Sequence, residues 1–328
     1  MVFRIYGCGS NGRYQLGNGT DEDLDSLELV FESEIGVSKV VCGGNHTFVL
    51  LGNGDLFAAG DNSKGQCGIR GIDVLPKFTQ LEGKWKDCSA GYEFSVLVGE
   101  HNEVYTCGFG MKGELGQGVG VTQTELSRIA IELKDNVISV HSCLDHSLIQ
   151  LSNGDIYGWG NGRNGKLGVV ENKVWSPTLI TIPNLKVKKI QLGRDFTLLS
   201  DMETIKLYGK DRYGIDSYIP THFTDFKTMW SSVHLIENND IRSIGNNSHS
   251  QLLSLGEDIQ FEDFDVGSEH GLLLSSNTVY AWGWGEHGNC GVKTNSSNSF
   301  DLTILFETSE KVVKLQGGCA TSWVITAT

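Results

Sequence analysis

Proline is scarce, at 4 residues in 328, and there is no Cys-x-x-Cys pair and no run of Lys and Arg. No apolar stretch approaches the roughly 18 to 20 residues that span a bilayer. Each absence removes a class. With so little proline and no three-residue glycine period, collagen-like and linker-type disordered chains are excluded. Without Cys-x-x-Cys, a zinc ribbon or dithiol redox centre is not expected. Without an apolar span, no membrane association is expected. No signal-peptide pattern opens at Met1, so the 8 cysteines are expected in a reducing compartment, cytoplasmic with a nuclear pool as a further option. Lys and Arg number 26 against 40 Asp and Glu, a formal charge of −14. A protein that holds nucleic acid through phosphates needs a basic face, so direct nucleic-acid binding is not expected.

Glycine is abundant instead: its 42 residues are roughly twice ordinary usage. Many fall in a repeat. Anchored on Gly9, Gly60, Gly108, Gly160, Gly209, Gly245 and Gly283, it runs at intervals of 51, 48, 52, 49, 36 and 38 residues. The residue before each anchor is apolar or aromatic. Two residues beyond it stands Gly, Asn or Asp, among them Asn11, Asn62 and Asn247, a choice that points to positive φ in a tight turn. Seven residues beyond it stands Leu or Cys in six copies, and Asp216 in the other.

A second phrase lies between the anchors: an apolar residue, Gly, two residues, His or an aromatic, Thr or Ser, then an apolar run. Cys42-Gly43-Gly44-Asn45-His46-Thr47-Phe48-Val49-Leu50 shows it plainly, and the copy at Ser231 is the most eroded. Runs such as Ser147–Leu151, then Ser152-Asn153-Gly154-Asp155, then Ile156–Trp159 read as hairpins. Units of around fifty residues with several short strands fit propeller blades. An all-β, seven-bladed β-propeller is expected, as one domain over residues 1–328. Val2–Gly7 reads as the second arm of a hairpin whose first arm is Ser322–Thr326. One blade should therefore be sewn from both chain ends, leaving no open sheet edge.

The Gly-x-Asn-x-x-Gly-x-Leu-Gly and Gly-x-x-His-Thr phrases resemble the regulator-of-chromosome-condensation family of seven-bladed propellers, over residues 2 to 326. Three C-terminal stretches, Gly267–Gly271, Trp282–Gly291 and Gly317–Thr321, with Met229–Leu235 and Ser248–Leu252, are similar to one subgroup of that family. The likeness implies a non-catalytic propeller that forms a heterodimer with a small iron- or zinc-binding protein of diphthamide synthesis on elongation factor two. It also implies an indirect link to the Elongator complex and its wobble-uridine modification of tRNA. The alternative within the family is a guanine-nucleotide exchange factor for a Ran-type GTPase. Against it stand the missing basic N-terminal tail and the lack of an insertion long enough for a wedge hairpin. No nucleophile elbow, P-loop or metal triad is present, so no catalytic residue and no cofactor is expected.

Candidate contact residues come from columns that the repeat does not constrain. His249 and His287 lie four residues past their anchors, where Arg13, Lys64, Lys112, Asn164 and Tyr213 stand elsewhere. Trp284 occupies a mostly polar column, and Trp230 precedes the small residues of the eroded copy. Exposed tryptophans make good interface anchors. Ser248, Glu269 and Glu286, beside them in the quoted phrases, complete the candidate partner-binding set. His46, His146, His234 and His270 read as equivalent. A metal cage around a channel is conceivable, but a repeated hydrogen bond within each blade fits the recurrence better, and no protein-held metal is expected. Trp159, Trp282, Trp323 and the cysteines Cys8, Cys67, Cys107 and Cys290 read as core. Trp85 and Trp175 have no assigned role. The acidic stretch Asp21–Asp25 reads as a solvated loop.

Overall fold

The apolar run after each His-Thr phrase becomes a strand buried on both faces; in His46–Leu51, Phe94–Gly99 and His146–Leu151 every residue is buried. Such strands read as continuous apolar runs because neither face meets water. The computed structural model describes residues 1–220, 222–255, 259–292 and 299–328. Among these, 26 strands form seven antiparallel sheets, and the only helical pieces are single turns at Arg163–Gly165 and Ile215–Tyr218.

Blade one joins the two ends of the chain, with its strands ordered Leu24–Ser33, Phe3–Gly9, Thr321–Ala327, Lys311–Gly317. Phe3 pairs with Ala327 and Gly9 with Thr321. Blades two, three and four are four-stranded and begin at Val37, Trp85 and Val137. Blades five and six, beginning at Lys189 and Asp225, have three strands among the described residues; blade seven, from Asp263, has four. The three-stranded blades end at Gly209 and Gly245, the anchors followed by the short intervals of 36 and 38 residues. Among the described residues these intervals hold no fourth strand, in keeping with their shortness. First strands of successive blades touch from two through seven to one, and Thr321–Ala327 touches Val37–Cys42, so the ring closes.

The anchor glycines have one physical cause. All seven hold φ between +98° and +134°. A Cβ on any of them would collide with the carbonyl oxygen of the residue before the buried strand, for example Ala320 against Gly9 and Asn45 against Gly60. That close approach lets the next amide donate to the same carbonyl: Ser10 to Ala320 at 2.8 Å, Asp61 to Asn45 at 2.8 Å, Trp284 to Glu269 at 2.9 Å. Only glycine permits both.

The column two residues on works differently from the sequence expectation. None of its members has positive φ; the left-handed residues stand three further on, as Tyr14, Gly65, Gly113, Gly165, Ser250 and their equivalents. In the Asn copies the side chain braces the loop. Asn11 Oδ1 accepts the Leu16 amide, Asn62 Oδ1 that of Cys67 and Asn247 Oδ1 that of Leu252, each at 2.9 Å. Where glycine stands instead, a side chain would clash, as Gly110 would with Glu114.

The histidine column is also corrected. Its hydrogen bonds cross between blades rather than staying within one. His46 Nε2 lies 2.8 Å from Ser95 Oγ in the next blade, and His270 Nε2 2.9 Å from Ser322 Oγ. Ser95 Oγ donates to the Gln66 carbonyl at 2.7 Å, so the imidazole N–H is the donor to Ser95. The receiving hydroxyls stand one residue past Phe94, Phe196 and Thr321, which hold the histidine position in the neighbouring blades. His146 makes the same reach to Thr197, at 3.4 Å. His234 does not belong to this column: the residue paired with Gly245 is Ser232, where His46, His146 and His270 pair with their anchors. His234 instead bonds Ser232 and Ser243. Burial holds the imidazoles of His46, His146 and His270 at about 4 and that of His234 at about 3. Among the described residues no three His, Cys, Asp or Glu side chains converge as metal ligands.

Trp159, Trp282 and Trp323 are fully buried, as are Cys8, Cys67, Cys107 and Cys290. Trp85 also belongs to the core, edge-on to Tyr105.

Candidate functional site

The loops that follow the anchors of blades six and seven, and the turns that precede their buried strands, meet at the mouth of the central channel. There a cavity of about 500 Å³ is lined by Trp230, Glu269, Trp284, Glu286 and His287, together with Arg194. Five of the seven predicted contact residues are therefore neighbours in space. The other two sit against its edge. The His249 ring stacks on Trp284 with centroids 4.3 Å apart and planes at 11°. Ser248 Oγ lies 2.9 Å from His249 Nδ1, and the His249 amide donates to Gln251 Oε1 at 2.8 Å.

Backbone bonds hold the indoles in place. The Trp284 amide donates to Glu269 and its carbonyl accepts from Asn289 Nδ2 at 2.9 Å. Trp230 donates to the Ser268 carbonyl at 2.8 Å and accepts from the Arg194 amide at 2.9 Å, linking three blades. Trp284 keeps 37% of its surface exposed, and Trp230 is half-buried. Glu269 accepts from Ser231 Oγ at 2.7 Å and Gln251 Nε2 at 3.1 Å. Burial nonetheless raises its carboxyl pKa. The acidic stretch is exposed but not idle: Asp23 accepts the Asn11 amide at 2.7 Å and lies 2.8 Å from His287 Nδ1. It thereby ties the blade-one loop to the edge of the cavity.

Two indole walls, an imidazole stacked on one of them and a partly desolvated carboxylate make a slot suited to grip a protruding side chain. Tyr92 and Leu144, which complete the apolar lining, were missed at the sequence level. They share a column with Trp230, two residues before the residue that pairs with each anchor. Gly44, Arg194, Ser268 and Cys319 fill that column in other blades. Its variability was the available signal.

The model of the regulator of chromosome condensation (RCC1) repeat matches residues 4–50 and 153–200, and a second model of that repeat matches 37–66. The chain is 28% identical to the RCC1 repeat-containing protein C10F6.04 of Schizosaccharomyces pombe, covering 98% of both chains. It is 24% identical to the secretion-regulating guanine nucleotide exchange factor of Mus musculus, over 89% of this chain and 76% of that one. Prp20p of Saccharomyces cerevisiae, described with its binding to Gsp1p and histones, superposes with a TM-score of 0.85 at 17% identity, over 100% of this chain and 92% of the other. Human WBSCR16 superposes with a TM-score of 0.83 at 16% identity, over 99% of each chain. Repeats, closure and superposition together show a seven-bladed β-propeller whose fold is similar to that of RCC1 proteins.

Proposed function

We propose that this protein is a non-catalytic adapter whose aromatic slot docks a small iron- or zinc-binding protein as a heterodimer. The pair serves diphthamide synthesis on elongation factor two and, indirectly, Elongator-dependent wobble-uridine modification of tRNA, in the cytoplasm with access to the nucleus. The observation that carries the docking site is the shared cavity of Trp230 and Trp284, with His249 stacked on Trp284 at its edge, on columns the repeat leaves free. The class of partner rests on the likeness of the C-terminal phrases to the adapter subgroup.

Co-purification with that metalloprotein tests the pairing, and alanine at Trp230, Trp284 and His249 tests the surface. A buried indole at an interface contributes about 2 kcal/mol or more. The Trp230/Trp284 double variant should therefore bind at least about thirtyfold more weakly. An unchanged dissociation constant would remove the site, and normal diphthamide and wobble-uridine levels in a deletion strain would remove the pathway. A second reading, nucleotide exchange on a Ran-type GTPase, is favoured by the 24% likeness to a named exchange factor. Accelerated GDP release from such a GTPase on adding the protein would establish it.

A further inference from the structure

A second cavity, of about 550 Å³, opens over blades three to five. Six cations line it, Lys112, Arg163, Lys166, Arg194, Lys210 and Arg212, against four carboxylates, Glu93, Glu114, Asp145 and Asp195. A local excess of positive charge in a chain of net −14 runs against the global balance. The cations divide into two groups. Lys112 and Lys166 share Asp145 at 2.8 and 2.7 Å, and Arg212 is held by Asp195 at 2.8 Å. Lys166 is nearly fully buried and also donates to the Arg194 carbonyl at 3.0 Å. These form an ion-paired floor. Arg163, Arg194 and Lys210 are exposed and have no carboxylate partner among the described residues.

The fold does not ask for these three. Arg163 stands where other repeats have Gly12, Ser63, Met111 or Ser248, and Lys210 where they have Ser10, Asp61, Phe109 or Trp284. The cavity is also continuous with the aromatic slot, since Tyr92, Leu144 and Arg194 line both. The result is one groove, cationic at one end and aromatic at the other.

We propose that the cationic end binds an extended, carboxylate-bearing polypeptide segment. Its Asp or Glu side chains pair with Arg163, Arg194 and Lys210, and an adjacent apolar residue enters the slot between Trp230 and Trp284. Guanidinium forks match carboxylates in two-point geometry. The interleaved carboxylates favour a peptide over a polynucleotide: a backbone charged at every unit meets them as often as it meets the cations, whereas a peptide can set neutral residues opposite them. The long-range negative field of the whole protein also repels a polyanion more than a segment bearing two or three charges. The aromatic half of the pose rests on the docking face proposed above; the cationic half does not.

Fluorescence anisotropy on the full chain tests the pairing. The probes are a labelled peptide of about ten residues carrying three Asp/Glu and one Leu-Phe pair, its Asn/Gln twin, and a labelled oligouridylate of about twelve nucleotides. The acidic peptide should bind at least tenfold more tightly than its amide twin and weaken as salt rises from about 50 to 300 mM. R163Q/R194Q/K210Q should cost at least tenfold in affinity and flatten the salt dependence; W230A/W284A should lower affinity but keep that dependence. Absence of saturable binding, equal binding of the amide twin, an unaffected triple variant, or tighter binding of oligouridylate each overturns the proposal. Peptide binding without capture of the metalloprotein would fail the adapter reading and leave this one standing. Capture lost in W230A/W284A, with no peptide binding, would do the reverse.

Discussion

Removing the Trp323 side chain tests whether the seam between the chain ends holds the ring. Trp323 is fully buried in a cluster with Ile5 from the N-terminal strand, Leu16 from the first anchor loop, and Val40, Val49 and Leu51 from blade two. Its ring meets Phe78 edge-on at 6.3 Å and lies so close over Gly7 that an added Cβ there would stand 3.0 Å from it. Its Nε1 donates to Thr321 Oγ1 at 3.0 Å. Truncating a core Trp to Ala costs about 3–5 kcal/mol, and the buried Thr321 hydroxyl left without its donor adds about 1 kcal/mol. Against a typical domain stability of about 5–15 kcal/mol, W323A should be the most destabilising single tryptophan change outside blades four and seven. Urea unfolding followed by circular dichroism measures it, with half-exposed W175A, expected within about 1 kcal/mol, as the control. Because Thr321–Ala327 pairs with Phe3–Gly9, amide exchange should accelerate in both strands together. A loss below about 1 kcal/mol, or acceleration confined to the C-terminal strand, would refute the seam as a cooperative unit. Deleting the last eight residues asks the same question more bluntly: unchanged cooperative melting would contradict closure.

Other consequences are equally direct. Gly9→Ala should lower stability by about 2–3 kcal/mol or more, because φ of +107° and the Ala320 carbonyl both exclude a side chain. Gly12→Ala, with nothing within 4 Å of the new Cβ, should be near neutral, and thermal melts compare the two. Asn11→Ala removes bonds to the Leu16 amide, the Thr20 carbonyl and Asn18 from a fully buried side chain and should cost about 2–3 kcal/mol. Asn247→Ala, which loses its 2.9 Å bond at an exposed site, should cost under about 1 kcal/mol by the same denaturation assay. The buried imidazoles set an acid limit. Those of His46, His146 and His270 lie at about 4 and that of His234 at about 3, each depressed by burial from 6.5. Between these values and 6.5 the unfolded chain binds protons that the folded one refuses, so stability should fall as pH drops from about 6.5 toward 4. His46→Gln should reduce that slope by one proton, and urea midpoints that stay flat between pH 7 and 5 would refute the assignment.

How far the structure was legible from sequence differs by residue and by physical constraint. Gly9 and its six equivalents were plain because positive φ and a carbonyl at contact leave one admissible residue, so the column survives even where its neighbours erode. The column of Asn11, Asn62 and Gly110 was found but misexplained. Asn and Gly share a preference for left-handed turns, yet here Asn is kept for its side-chain carbonyl and Gly for its lack of volume. His234 was misplaced because the eroded copy was aligned on the histidine rather than on the pairing with Gly245. The cationic cavity was invisible, since Lys112, Arg163 and Arg212 lie about fifty residues apart along the chain and meet only when successive blades pack side by side. A search for runs of basic residues cannot find charge that a propeller assembles at one to three separated residues per blade.

That mode of assembly also explains how the two ends of the groove can differ on a scaffold of near-identical blades. Residues that make the ring, the anchors, the buried strands and the His-to-Ser reach, are tied to hydrogen bonds or close contacts that a substitution breaks. Residues one, three and four beyond each anchor meet no such demand. They pass from Phe109, Met111 and Lys112 in blade three, through Asn161, Arg163 and Asn164 in blade four, to Trp284, Glu286 and His287 in blade seven. Neighbouring blades stand beside one another at the channel mouth, so a change in any one blade shifts charge or aromatic area in one sector and leaves the others in place. A cationic arc over blades three to five and an aromatic arc over blades six and seven can then be adjusted separately. This is why charge-neutralising and indole-removing variants should separate salt dependence from apolar affinity rather than weaken both together.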